Sequence, residues 1–183
     1  MSNVLDYITF SSEGNATDFG DLSNSREQFA SCGNTTRGVF AGGGYTSTSN
    51  VIDYITIAST GNVTDFGDML AAASTMPSGV TSSSTRGLMM GGQPSSYQDV
   101  IQYITIASTG NATDFGDLTV AMGFGFGTSN ATRAVCSRDG IYHGKNIDVV
   151  TIASTGNATD FGDILTSARG QSGACGGQGG LTA

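Results

Sequence analysis

Four times along the chain an Asp-Phe-Gly-Asp string recurs: Asp18 to Asp21, Asp65 to Asp68, Asp114 to Asp117 and Asp160 to Asp163. Asp-Phe-Gly is the triplet that places a carboxylate on Mg²⁺ in phosphoryl-transfer enzymes, and paired carboxylates are natural ligands of hard cations. The companions of that chemistry are missing, since no glycine-rich nucleotide loop, strand lysine or His-Arg-Asp loop accompanies the triplet. Calcium asks for six or more oxygens, and two Asp with a Thr and backbone carbonyls fall short. The first Asp of each copy follows the last by 47, 49 and 46 residues. A motif repeated at that period is architectural, and it reads as a turn signature whose Asp side chains cap backbone N–H groups. No catalytic, cofactor-binding or metal-ligating residue is assigned.

The other groups able to do chemistry are few. His143 is the lone histidine, beside Tyr142 and near Arg138, Asp139 and Lys145. General acid–base catalysis needs two positioned groups, so this cluster reads as a solvated or partner-contacting loop. Arg37, Arg86 and Arg133 recur at one position of the unit, where a structural salt bridge to a repeat Asp is expected. Cys32, Cys136 and Cys175 have no metal-ligand spacing and read as free thiols. Asn-x-Thr triplets begin at Asn15, Asn34, Asn62, Asn111, Asn130 and Asn157. Without a secretory signal they read as turn chemistry rather than glycan acceptors.

The elements that must carry these residues follow from one unit. Val51 to Ala58 is rich in β-branched and aromatic residues and is bounded by Asn50 and the Ser59-Thr60-Gly61-Asn62 cluster, which makes it a strand. Equivalent strands begin at Val4, Val100 and Asn146. After the Gly-Asn turn, Thr64 to Met69 returns as a short strand bearing Phe66, completing a hairpin. Leu70 to Ser84 is a small-residue segment, and Thr85 to Gly92 is an apolar strand closed by a glycine pair, matched by Thr36 to Gly44. Each unit is therefore four antiparallel strands: small-residue, glycine-ending, Tyr-bearing and Phe-bearing. The 28 glycines among 183 residues, about twice the ordinary share, fit many tight turns.

The glycine pair closing the second strand and the aromatics of the third and fourth resemble the kelch, or galactose-oxidase-type, blade, with Phe19, Phe66, Phe115 and Phe161 where kelch blades usually carry Trp. Over nearly the whole chain, the Asp-Tyr-Ile-Thr-Ile-Ala-Ser-Thr-Gly-Asn-Ala-Thr-Asp-Phe-Gly-Asp-Leu type of string, followed by Thr-Arg-Gly and glycines, is similar to kelch-like repeats of virion structural proteins of marine tailed bacteriophages. The resemblance implies an all-β, small kelch-like β-propeller of four blades of about 47 residues. The blades cover 22–68, 69–117, 118–163, and 164–183 joined with 1–21. It further implies a non-catalytic tail-, fibre- or capsid-associated virion protein, made in the host cytoplasm and contacting other virion proteins, in multiple copies or as a homo-oligomer. The alternative is a lectin-like host-attachment module that presents Tyr45, Tyr97 and Tyr142 to a host surface glycan.

Charge and hydropathy narrow the partners. A formal net charge of −8, from 7 Lys and Arg against 15 Asp and Glu, disfavours nucleic acid. No apolar run approaches the roughly 18 residues of a membrane span. Repetition at one position places Tyr7, Tyr54, Tyr103, Phe19, Phe66, Phe115 and Phe161 in the core. The split unit should close by bringing Val4 to Phe10 into one sheet with Ser167 to Leu181.

Overall fold

The computed structural model describes residues 2–44, 48–73, 79–93, 95–123, 125–137 and 144–166. These form fourteen strands and no helix: β1 (Val4–Tyr7), β2 (Thr17–Asp21), β3 (Ala30–Gly33), β4 (Arg37–Ala41), β5 (Ser49–Thr56), β6 (Thr64–Ala73), β7 (Gly79–Ser82), β8 (Arg86–Met90), β9 (Gln98–Thr105), β10 (Thr113–Met122), β11 (Phe126–Ser129), β12 (Arg133–Ser137), β13 (Asn146–Thr151) and β14 (Thr159–Asp163). β1 and β2 make a two-stranded sheet, and the rest make three four-stranded sheets ordered β3-β4-β5-β6, β7-β8-β9-β10 and β11-β12-β13-β14. All pairings are antiparallel and join sequence neighbours, the cheapest topology for short strands linked by Gly-Asn and Asx turns.

The Asp-Phe-Gly-Asp strings lie inside strands, in keeping with the expected returning strand Thr64 to Met69 and against their reading as a turn signature. In every copy the register slips by one residue: Ile52 faces Gly67 and Asp53 faces Asp65, which leaves Phe66 unpaired. The same slip sets Phe19, Phe115 and Phe161 apart from the ladder. Such a bulge bends the strand and re-aims one side chain, and here it turns the ring toward the adjoining sheet.

The sheets follow one another in a row, and the apolar core lies between them. One cluster joins Val39, Ala41, Ile52, Phe66 and Met69 of the second sheet to Met89, Ile104, Ile106 and Ala112 of the third. Another joins Leu88, Met90, Ile101, Phe115 and Met122 of the third to Ala134, Cys136, Val150, Ile152 and Ala158 of the fourth. The row is not closed among the described residues, because the outer sheets end on exposed faces. Phe19, Phe66 and Phe115 are buried, and Tyr54 and Tyr103 are half-buried against them. Phe161, 53% exposed, departs from the expected core because no sheet follows its own among the described residues, and Tyr7, 41% exposed, does so because β1 has no third strand with a stacking arginine beside it there, unlike Tyr54 under Arg37. The expected pairing of Val4 to Phe10 with Ser167 to Leu181 lies outside the described residues.

The two ends of this pattern give a direct comparison. Phe115→Ala is expected to cost about 3–5 kcal/mol, as for a buried ring. Phe161→Ala, at the same position of the exposed terminal sheet, should cost about 1 kcal/mol or less. Urea unfolding of the two variants, at concentrations dilute enough for single molecules, checks it, and equal losses there would contradict the placement of the core.

Candidate functional site

The feature built most carefully from the repeated residues is the joint between successive sheets, and it occurs three times. In the first joint the Gly61 N–H donates to Phe19 O at 2.7 Å and the Val63 N–H to Asp21 O at 2.9 Å, while Asn62 Oδ1 accepts from the Asp21 N–H at 3.1 Å. In the second, Gly110, Ala112 and Asn111 make the same bonds to Phe66 O, Asp68 O and the Asp68 N–H at 2.7, 2.8 and 3.0 Å. In the third, Gly156, Ala158 and Asn157 make them to Phe115 O, Asp117 O and the Asp117 N–H at 2.7, 2.7 and 3.1 Å. A sheet edge that would otherwise offer bare N–H and C=O groups is thereby covered by the turn of the next sheet. The approach is close enough to dictate glycine in the bulge. Gly67 and Gly116 have φ of 144° and 145°, and a Cβ there would lie 2.5 Å from the carbonyl oxygen of Gly110 or Gly156.

A second set of contacts surrounds the isoleucines that follow β9 and β13. The Arg37 Nη1 donates to Ile106 O and the Arg86 Nη1 to Ile152 O, both at 2.9 Å. Each guanidinium stacks on a tyrosine, Arg37 4.5 Å from the centroid of Tyr54 and Arg86 4.6 Å from that of Tyr103. Each tyrosine in turn meets the bulge phenylalanine edge-on at 5.9 Å. Ile106 and Ile152 are buried on these assemblies. The expected salt bridge from these arginines to a repeat Asp is therefore corrected: the guanidinium satisfies a strand-end carbonyl of the next sheet and lies flat on a ring. Arg133 lies 5.8 Å from the centroid of Phe161, and Val149 occupies the position held by Tyr54 and Tyr103.

The third component is the residue before that tyrosine. Gln102 Oε1 accepts from the Leu70 N–H at 2.8 Å. Asp148 accepts from the N–H and Oγ1 of Thr119 at 2.8 and 2.6 Å. Asp53 accepts from Ser23 Oγ at 2.6 Å and from Arg26 Nη2 at 2.7 Å. In each case the buried polar side chain holds the residue two beyond the bulge motif of the preceding sheet: Leu70 within β6, Thr119 within β10 and Ser23 just past β2. Arg26–Asp53 is a buried ion pair, with Arg26 Nη1 also bonded to Val51 O at 3.2 Å. Burial pulls the Arg26 guanidinium below its ordinary range, and the Asp53 charge and hydrogen bond oppose that. Neither Arg26 nor Asp53 was singled out by sequence reading; the signal was a polar residue fixed within an otherwise apolar strand.

The caps of these turns are asparagines rather than the repeat aspartates. Besides Asn62, Asn111 and Asn157, Asn34 Oδ1 accepts from the Thr36 and Arg37 N–H groups at 2.9 Å each, and Asn130 does likewise for Thr132 and Arg133 at 2.9 and 2.7 Å. A neutral amide oxygen suits these crowded turns, where a carboxylate would bring a charge next to strand carbonyls. Among the described residues no three His, Cys, Asp or Glu side chains gather as a metal site. Cys32 and Cys136 are free thiols, with burial pushing the Cys32 thiol up to about 12 and the Cys136 thiol higher, the latter helped by Asp148. Lys145 Nζ donates to Leu165 O at 3.1 Å. Tyr97 is half-buried across Gly123, whose Cβ would lie 2.6 Å from its ring. His143, Tyr142, Arg138, Asp139, Tyr45 and Cys175 lie outside the described residues.

A scan against protein-family models finds no match to this chain, and a search of curated proteins finds none either.

Two measurements probe the joint. Gly116→Ala, which strains φ and also strikes the Gly156 carbonyl, is expected to lose on the order of 2 kcal/mol more than Gly162→Ala, where a Cβ meets nothing within 4 Å. Unfolding of both variants at concentrations dilute enough for single molecules checks this, and an equal loss there would mean that the close approach at Gly116 is not formed. Asp53→Ala is expected to cost about 3–5 kcal/mol by stranding the Arg26 charge. Adding Arg26→Leu should restore most of that loss, whereas additive losses in the double variant would deny the pairing.

Proposed function

We propose that the chain is a non-catalytic structural or interaction component of a tailed-bacteriophage virion, tail-, fibre- or capsid-associated, and that its sheets are the blades of a small kelch-like propeller. The observation that carries this reading is the thrice-repeated joint. The asparagines of the Gly-Asn turns, the Arg37 and Arg86 guanidinia, and Asp53, Gln102 and Asp148 all bond from one sheet to the next or hold the segment between them. The recurring residues are devoted to fastening modules together, as a scaffold requires. The virion setting rests on the similarity of the repeat string to those of phage structural proteins. Partners are other virion proteins, with the chain present in several copies, and the particle is where it resides after synthesis in the host cytoplasm.

The expected result is that the chain co-purifies with intact, gradient-banded virions at a fixed copy number, measured by quantitative mass spectrometry of the particles. Its absence from particles, while it accumulates in the infected-cell lysate, would overturn the reading. Saturable binding to defined glycans on an array, together with a place at the tail tip, would move the assignment to an attachment lectin.

A further inference from the structure

The joint that occurs three times inside the molecule has two unmated halves at the ends of the row. The donor half is in the β1–β2 hairpin: Gly14, Asn15 and Ala16 stand where Gly61, Asn62 and Val63 stand in the next unit, and Phe10 stands where Ile57, Ile106 and Ile152 do. Phe10 is 96% exposed, whereas Ile106 and Ile152 at the same position of mated units are buried. The acceptor half is in the fourth sheet, where Arg133, Phe161, Gly162 and Asp163 repeat Arg37, Phe66, Gly67 and Asp68. Gly162 has φ of 141° like its counterparts and no atom within 4 Å of its Cβ position, and Phe161 is half exposed. The polar component is present too, since Asp6 and Leu165 are both exposed and stand where Gln102 receives the Leu70 N–H.

The two halves differ from the internal joints in a matched way. Inside the molecule, an isoleucine packs on a sheet bearing tyrosine. At the free ends the isoleucine is replaced by the larger Phe10 and the tyrosine by the smaller Val149. The face with Val149 carries a groove of about 290 Å³, lined by Arg133, Val149, Thr151 and Thr159 among others. A cavity of about 150 Å³ already accepts a benzene ring, so this open groove has the volume for a phenyl side chain, set over Val149 among the polar groups of Arg133, Thr151, Asn157 and Thr159. A larger knob on one end and a larger hole on the other conserve volume across the contact, which cores tolerate best.

We propose that the Phe10–Ala16 hairpin end of one molecule docks on the Arg133–Val149–Phe161–Asp163 face of a second copy, head to tail, through a fourth instance of the internal joint. Phe10 enters the groove over Val149, the Arg133 guanidinium donates to the Phe10 carbonyl, the Gly14 and Ala16 N–H groups donate to the carbonyls of Phe161 and Asp163, and Asn15 Oδ1 accepts from the Asp163 N–H. The occupant is a second copy because both halves stay exposed in the single molecule, Phe10 at 96% and Phe161 at 53%, so the described part of the chain does not seat its first sheet on its last. A heterologous contact of this kind builds a closed ring if its rotation closes and a filament if it does not. The inference rests on reading the chain as an interaction module but not on the virion setting, so the purified protein alone tests it.

Sedimentation-velocity and light-scattering mass of the full chain across a concentration series are expected to show assemblies of two or more copies. Val149→Tyr, which fills the groove, and Phe10→Ser, on a side chain exposed in the single molecule, should each weaken assembly by at least about ten-fold while leaving the strand circular dichroism unchanged. The double variant Val149→Tyr with Phe10→Ile recreates the internal pair and should restore assembly. A single-copy mass for the unaltered chain at every concentration overturns the proposal and points to closure of each chain on itself. Assemblies indifferent to Val149→Tyr and Phe10→Ser, or no rescue in the double variant, overturn it equally.

Discussion

Everything in this molecule depends on a main-chain handshake: the carbonyls flanking a glycine bulge in one sheet accept the N–H groups of a Gly-Asn turn in the next. Each sheet alone has at most four short strands and one outer edge with unsatisfied groups, and a sheet of that size gains little from its own packing. Setting the turn of the next sheet on that edge removes the exposed groups and brings two apolar faces together. The glycine at the bulge permits the approach, and the extra residue there rotates the phenylalanine into the gap. Hydrogen bonding, backbone conformation and core formation are thus one event, repeated along the row.

The aromatic and charged groups follow from that geometry. Once the turn is seated, the end of the adjacent strand presents a carbonyl with no ladder partner in a half-buried place. A guanidinium is the group best able to reach it, because its plane can lie on tyrosine while one edge donates. The buried polar residue in each Tyr-bearing strand serves the same logic from the other side by tying down the departing chain. Where that residue is Asp53, the opposing group is a full charge, Arg26; where it is Gln102, a backbone N–H suffices.

Much of the fold could be read from the sequence. The period near 47 residues, the β-branched strands and the Gly-Asn turns led to four-stranded antiparallel units with boundaries close to those observed, since these signals are local and periodic. The expected closure into a four-blade ring with a split blade is not seen among the described residues, since closure needs contacts between distant parts of the chain, which periodicity does not encode. The candidate chemistry was less legible. Asp-Phe-Gly-Asp looked like a turn because Gly and Asp favour turns, but a bulge inside a strand calls for the same residues, and only the register tells the two apart. The arginines looked like salt-bridge partners because acids outnumber bases two to one, whereas their real acceptors are carbonyls, which leave no mark in a sequence. Tyr7 and Phe161 looked like core because repetition was taken to mean equivalence, whereas among the described residues the sheet of Phe161 has no following sheet and that of Tyr7 lacks the strand that carries the stacking arginine.

Because the joint is read through backbone atoms and a handful of side chains that recur in every unit, the modules are close to interchangeable in position. A copy inserted between Asp68 and Gln98 would find a bulge on one side and a Gly-Asn turn on the other, both already of the correct shape. Duplication or loss of a whole unit in the gene would then change the length of the row without requiring any compensating substitution at its seams. The near-identity of the repeated strings is what a history of such unit-by-unit copying leaves behind, and the unlike residues Phe10 and Val149 mark the two places where one unit is not free to stand in for another.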